Sequence, residues 1–176
     1  MVDPNVSHNI SYGMFIVSSY KDKALNGQIA NTVFQITSEP VTIAISINKN
    51  NLTHEFIDAS KCFGVSILEE ETPLAFIGRF GFKSGVDGDK FKDVNFKMLP
   101  SGCPVVVDHS IAYLEAKVVK QFDCLTHTLF LGQMTESAVL KKESKPMTYS
   151  YYHNVKRGVT PPKAPTFIRG EKRGDS

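Results

Sequence analysis

A chain of 176 residues, 41% of them hydrophobic, is long enough for one domain with a real core, and its net charge of +2 excludes wholesale attraction to nucleic acid or an anionic membrane. Cys62, Cys103 and Cys124 are an odd number without a C-x-x-C pair, which argues against a disulfide framework or structural zinc and for reduced thiols in a cytoplasmic protein. The N-terminus shows no basic-then-apolar leader, and no apolar run approaches the length of a membrane span.

The first expected strand covers residues 14–20 and turns at Lys21-Asp22-Lys23. Residues 25–30 and 32–37 continue as strands around the polar Asn31. The stretch 26–40 containing them is dense in uncharged amides and hydroxyls until Glu39. That is the composition of a hydrogen-bonding cradle on rigid backbone. Pro40 interrupts pairing, and residues 41–47 then alternate strictly, with Val41, Ile43, Ile45 and Ile47 on one face.

Asn48 to Asn51 read as a polar turn leading into a helix over Leu52–Ser60, with Thr53 as N-cap and Leu52 with Ile57 as a hydrophobic staple. Asn48, Lys49, Asn51 and Thr53 thus sit where free backbone N–H groups, the helix dipole and a lysine make an anion site. Cys62–Leu68 is a strand. Thr72-Pro73 opens a second helix, proline in its first position and Leu74, Ile77 and Phe80 inward. Residues 81–93 form a polar loop in which Phe82 and Phe91 suggest contact with a ligand, a partner or the loop's own core.

Residues 94–99, 104–107, 112–122 and 126–134 supply further strands, and Tyr149, Tyr151 and Tyr152 cluster before the tail. Residues 1–155 therefore read as one mainly-β domain, a closed or nearly closed barrel with a few short helices. Residues 156–176 read as a basic, Pro- and Gly-containing tail: Lys156, Arg157, Lys163, Arg169, Lys172 and Arg173 stand against Glu171 and Asp175. Its composition favours a solvated extension over a nucleic-acid patch.

Recognised chemistry is mostly excluded. His8, His54, His109, His127 and His153 show no ligand spacing, so a metal centre is not expected. G-x-S-x-G, G-x-G-x-x-G and P-loop motifs are absent.

The runs Asn26-Gly27-Gln28-Ile29-Ala30-Asn31, Ser38-Glu39-Pro40, Asn51-Leu52-Thr53-His54, Gly81-Phe82-Lys83-Ser84-Gly85, Asp89-Lys90-Phe91 and Thr126-His127-Thr128-Leu129-Phe130-Leu131-Gly132 resemble, in order, the flavin reductase-like family. The resemblance spans residues 8–153, nearest to the branch of flavoredoxins and the flavoprotein part of high-molecular-weight rubredoxins. In that branch a tail like residues 160–167 leads into a rubredoxin domain, whose Cys pairs this sequence lacks.

The resemblance implies a Greek-key-type split β-barrel, a homodimer, and FMN near the subunit interface. Gln28, Ile29, Ala30 and Asn31 would border the isoalloxazine, Gln35, Ile36 and Thr37 would flank the ribityl-phosphate, and Asn48, Lys49, Asn51 and Thr53 would complete the phosphate grip. Ile29 and Gln35 depart from the family's usual Thr and Ser. His127 matches a histidine beside the nicotinamide-binding face. The implied activity passes electrons from NAD(P)H through FMN to a flavin, metal or protein acceptor. The alternative is a carrier reduced by a protein donor and reducing rubredoxin or another acceptor.

Overall fold

The computed structural model describes residues 3, 6, 9–86 and 88–167; His8 and the tail charges Arg169, Glu171, Lys172, Arg173 and Asp175 lie outside them. In chain order the elements are β1 (Phe15–Lys21), β2 (Ala24–Ala30), β3 (Val33–Ser38), β4 (Val41–Asn48), α1 (Leu52–Ser60) and β5 (Cys62–Leu68). There follow α2 (Leu74–Gly81), β6 (Phe96–Met98), β7 (Pro104–Val106), β8 (Ser110–Cys124), β9 (His127–Val139) and α3 (Tyr149–Asn154). Seven strands make one antiparallel sheet in the order β2-β1-β5-β8-β9-β4-β3, and β6 pairs with β7 in a separate hairpin.

The sheet is rolled. Val17 of β1, Ala30 of β2, Ile43, Ile45 and Ile47 of β4, Val65 of β5, Leu114 of β8 and Phe130 of β9 share one buried core, and Val33 of β3 packs on it. Both edge strands thus face the same interior. The roll stays open along the seam between β2 and β3, which Asn31 and Thr32 cross, making the predicted split β-barrel. The strict alternation of β4 places its isoleucines inward. Irregularities after Glu115 and Val118 break the β8–β9 register along the sheet's longest strand pair.

A second core lies outside the barrel wall. Met14, Ile16, Leu68, Ile77, Phe80, Phe91, Met147 and Tyr152 pack together, so β1 is buried on both faces and α2, α3 and the loop after α2 cover its back. Three local expectations need correction. Asn51, not Thr53, is the N-cap of α1, which removes the Leu52–Ile57 staple. The Thr53 hydroxyl is instead buried and accepts from Asn26 Nδ2 at 2.9 Å. Pro73 is the N-cap of α2 rather than its first residue, and Leu74 points to solvent while Ile77 and Phe80 go inward.

Candidate functional site

A cleft of about 310 Å³ opens beside the seam. β2 gives it Asn26, Gln28, Ile29, Ala30 and Asn31, and the start of α1 gives Asn51, Leu52 and Thr53, with Asn48 and Ser46 from β4. Ile77, Phe80 and the segment Gly81 to Gly85 form the opposite wall. The tail closes the cleft with Val159 and the run Pro161 to Pro165. The composition is that of a binding site for a flat, partly polar molecule: apolar walls with a few convergent amides.

Two of those amides carry unmet demand. Asn26 Oδ1 and Gln28 Oε1 are buried and make no hydrogen bond, although their residues line the cleft. A buried acceptor without a donor costs roughly 1–3 kcal/mol, so a ligand N–H there would recover what the ligand-free protein gives up. At the start of α1, next to Asn26, Asn51 makes no side-chain cap, and the first N–H groups of the helix lack intrahelical partners as in any helix. Those groups and the dipole favour an anion.

The other expected residues are distributed unevenly. Lys49 does not line the cleft; its Nζ pairs with Asp123 Oδ2 at 2.5 Å, which lowers the Asp123 pKa. Gln35, Ile36 and Thr37 also lie outside it. β3 is the exposed sheet edge, Ile36 falls at an irregularity in its register with β4, and Gln35 Nε2 donates to Thr37 O at 3.0 Å. Thr37 Oγ1 donates to Pro40 O at 2.5 Å. Of the two departures from the family pattern, Ile29 lines the cleft while its side chain packs with the second core.

His127 begins β9 opposite Asn48. Its Nδ1 lies 2.9 Å from Thr126 Oγ1, and its Nε2 is buried without a hydrogen bond. Burial lowers its pKa. It is not among the residues that line the cleft, although its β4 partner Asn48 is. His54, by contrast, is occupied: its Nε2 meets Thr128 Oγ1 at 2.7 Å and its ring packs on Phe130.

Two contributors escape a reading of the chain for site residues. Lys90 is buried at the cleft, its Nζ donating to Gly27 O at 2.9 Å and Phe80 O at 3.4 Å, and burial pushes its pKa down to about 8. The sequence shows it only as one more lysine in a polar loop. The tail is the other. Asn31 Nδ2 donates to Thr166 Oγ1 at 2.8 Å, Thr166 Oγ1 to Tyr149 Oη at 3.1 Å, Tyr152 Oη to Val159 O at 3.1 Å, and Lys163 Nζ to Asn50 O at 3.0 Å. Through residue 167 it is therefore a strap over the cleft, not a solvated extension. In the loop after α2 the two aromatics divide: Phe82 lines the cleft and Phe91 is core.

The model of the flavin reductase like domain matches residues 7–159. The chain is 52% identical over 172 residues to the high molecular weight rubredoxin of Moorella thermoacetica, spanning 98% of this chain and 75% of that protein. It is 46% identical over 170 residues to the ferric-chelate reductase (NAD(P)H) of Archaeoglobus fulgidus, spanning 97% of this chain and 100% of that protein. The solved NADH:FAD oxidoreductase of Streptomyces globisporus C-1027 superposes with a TM-score of 0.76 at 23% identity, over 86% of this chain and 93% of that one, a likeness of fold. With a match across nearly the whole described barrel, the chain belongs to the flavin reductase like domain family and is an oxidoreductase of the flavin reductase type.

Proposed function

We propose that the cleft holds FMN and that the protein passes electrons from NAD(P)H through it to a flavin, metal or protein acceptor. The observation that carries this reading is the combination, in one cleft, of unmet amide acceptors at Gln28 and Asn26 with the free N–H groups at the start of α1, where Asn26 itself bonds Thr53. The residues fit the group. Gln28 would accept from ring N–H, Ile29 and Ala30 would offer backbone to the ring edge, Asn31 would add an amide, and Asn26, bonded to Thr53, would accept from a donor nearer the helix start. Asn48, Asn51 and Thr53 would hold the phosphate, and Lys90 would put a positive charge beside the ring. Bound there, FMN supplies hydride chemistry toward a pyridine nucleotide and single-electron chemistry toward an acceptor. The ferric-chelate reductase, whose name includes NAD(P)H, supports that donor.

The chain's own part is to bind, orient and exclude water. Phe82, more than half exposed at the rim, gives a stacking surface, and the strap restricts access from the other side. His127, with Nε2 buried and unbonded, would orient the nicotinamide carboxamide or hold a proton near it. Anaerobic protein loaded with FMN and mixed with NADH or NADPH should bleach within seconds. Protein that takes up no FMN, or stays yellow with both nucleotides, overturns the reading.

A second reading is favoured by the relative named as a rubredoxin: a carrier that receives electrons from a protein donor and reduces rubredoxin or another acceptor. It expects bleaching by a reduced ferredoxin-like donor and none by either nucleotide. A homodimer is part of both readings. Phe34 and Ile36, each 47% exposed on edge strand β3, are the apolar surface a second copy would cover. Such a copy would draw Gln35, Ile36 and Thr37 into the interface, beside a flavin site they do not reach within one chain. Among the described residues no helix is long and apolar enough to cross a membrane, and the free Cys62, Cys103 and Cys124 suit the expected cytoplasm.

A further inference from the structure

The sheet brings together three groups that electron transfer at the cleft does not use. Cys62 opens β5, Cys103 immediately precedes β7, and Glu115 stands on β8 opposite Gly64. All three are buried, and the two sulfurs and a carboxylate oxygen lie within 4.8 Å of one another. Ser101, in the turn of the β6–β7 hairpin, has Oγ 3.2 Å from Cys62 Sγ and donates to Glu115 Oε1. Thr135 Oγ1 donates to Oε2 of the same carboxylate at 2.7 Å.

No lysine, arginine or histidine pairs with Glu115 among the described residues. A buried carboxylate held only by hydroxyls, against two sulfurs, is a concentration of negative charge and electron pairs with no cation to balance it. Two soft thiolate donors and one hard oxygen suit a borderline cation.

The geometry is close to what such an ion needs. Three atoms no more than 4.8 Å apart share a point at most about 2.8 Å from each, against Zn–S and Zn–O distances of about 2.3 and 2.1 Å. Closing that difference takes side-chain shifts of about half an ångström. Ser101 Oγ already touches two of the three.

We propose that Cys62, Cys103 and Glu115 form a structural site for Zn²⁺, which ties the β6–β7 hairpin to β5 and β8. The entering cation displaces the thiol protons to solvent and takes both sulfurs as thiolates; no electron is transferred. The cysteines are far apart in sequence, which is why their spacing argues against zinc. The site becomes visible only when β5 and the hairpin are adjacent.

The test uses the full-length protein, treated with chelator and reductant, then titrated anaerobically with Co²⁺ and back-titrated with Zn²⁺. The expected result is one Co²⁺ per chain with thiolate-to-cobalt charge-transfer absorption, erased by one equivalent of Zn²⁺, and a higher Tm with Zn²⁺ than without. Cys62→Ser and Cys103→Ser should abolish the absorption, Glu115→Gln should weaken Co²⁺ binding at least about tenfold, and Cys124→Ser should leave it unchanged. Should a variant not fold, the wild-type spectrum and Tm shift decide alone. Folded wild type without the charge-transfer band overturns the proposal. So does a band that survives Cys103→Ser, or protein isolated two hydrogens lighter with Cys62 and Cys103 joined as a disulfide.

Discussion

Replacing Lys90 with methionine separates the cost of this residue from its use. Lys90 is buried, its Nζ donates to the carbonyls of Gly27 and Phe80 among the described residues, and its pKa falls from 10.5 to about 8 because burial disfavours the ammonium. That fall, at about 1.4 kcal/mol per pKa unit, corresponds to about 3 kcal/mol of destabilisation in the ligand-free fold at neutral pH. Methionine fills the same volume without the charge but takes a donor from two carbonyls, at about 1 kcal/mol each. The ligand-free variant should therefore gain about 1 kcal/mol, a Tm rise of about 2–4 °C in a domain of this size.

The sign of the pH dependence follows from the same shift. The folded pKa lies below the unfolded one, so between about pH 8 and 10.5 the unfolded chain binds more protons and wild-type stability rises with pH. The variant should lack that rise. An anionic flavin phosphate or ring in the cleft reverses the preference and favours the ammonium. FMN binding should then take up a proton near pH 8 and weaken above it, and Lys90→Met should cost about 10- to 100-fold in affinity, the worth of one charge-assisted hydrogen bond. Calorimetry of the flavin-free protein from about pH 7 to 10, with FMN titrations followed by fluorescence quenching, measures both. A lower Tm for the ligand-free variant, or an unchanged FMN affinity, refutes the argument.

His127→Ala should slow flavin reduction by NADH in stopped-flow at least about tenfold while changing the FMN dissociation constant less than about threefold, within the range of a general acid–base or orienting group; equal losses in both would make it a packing residue. Ile36→Asp puts a charge on the exposed apolar edge of β3 and should break the proposed dimer in light scattering, with FMN affinity falling in parallel; a wild type that is monomeric, or a variant that stays dimeric, removes β3 from an interface. At Gly132 a Cβ would meet the Phe63 ring at 2.6 Å and Ala116 Cβ at 2.8 Å, so Gly132→Ala should cost about 1–3 kcal/mol in urea unfolding, and a neutral result would mean that β8 and β9 yield there.

What the sequence revealed and concealed divides along a physical line. Where a residue's fate is decided by its neighbours in the chain, the reading holds. The alternation of residues 41–47 becomes β4, and the expected bounds Leu52–Ser60 and Cys62–Leu68 are those of α1 and β5. Where a side chain has two acceptable partners and the better one is remote, the reading fails. Thr53 is as good a cap as Asn51 by type, but its hydroxyl is claimed by Asn26 of β2. Composition misled in the same way. Proline and glycine in residues 156–167 suggested a solvated tail, yet a segment with few N–H groups of its own to satisfy is well suited to lie in a cleft, where side chains such as Asn31 and Tyr149 bond it instead.

Lys90 and the Cys62–Cys103 pair extend the point to chemistry. Loop lysines and scattered cysteines are bland in one dimension, because burial is set by what α2, Phe91 and the β6–β7 hairpin bring over them. Among the described residues each of these groups then bears a cost in the ligand-free fold: an ammonium without a carboxylate, amide acceptors without donors, a carboxylate without a cation. Costs of this kind persist where a bound species offsets them. That same logic reads FMN from one cluster and a metal ion from the other, and the two differ in what must be supplied: hydrogen-bond donors and negative charge at the cleft, positive charge at the hairpin.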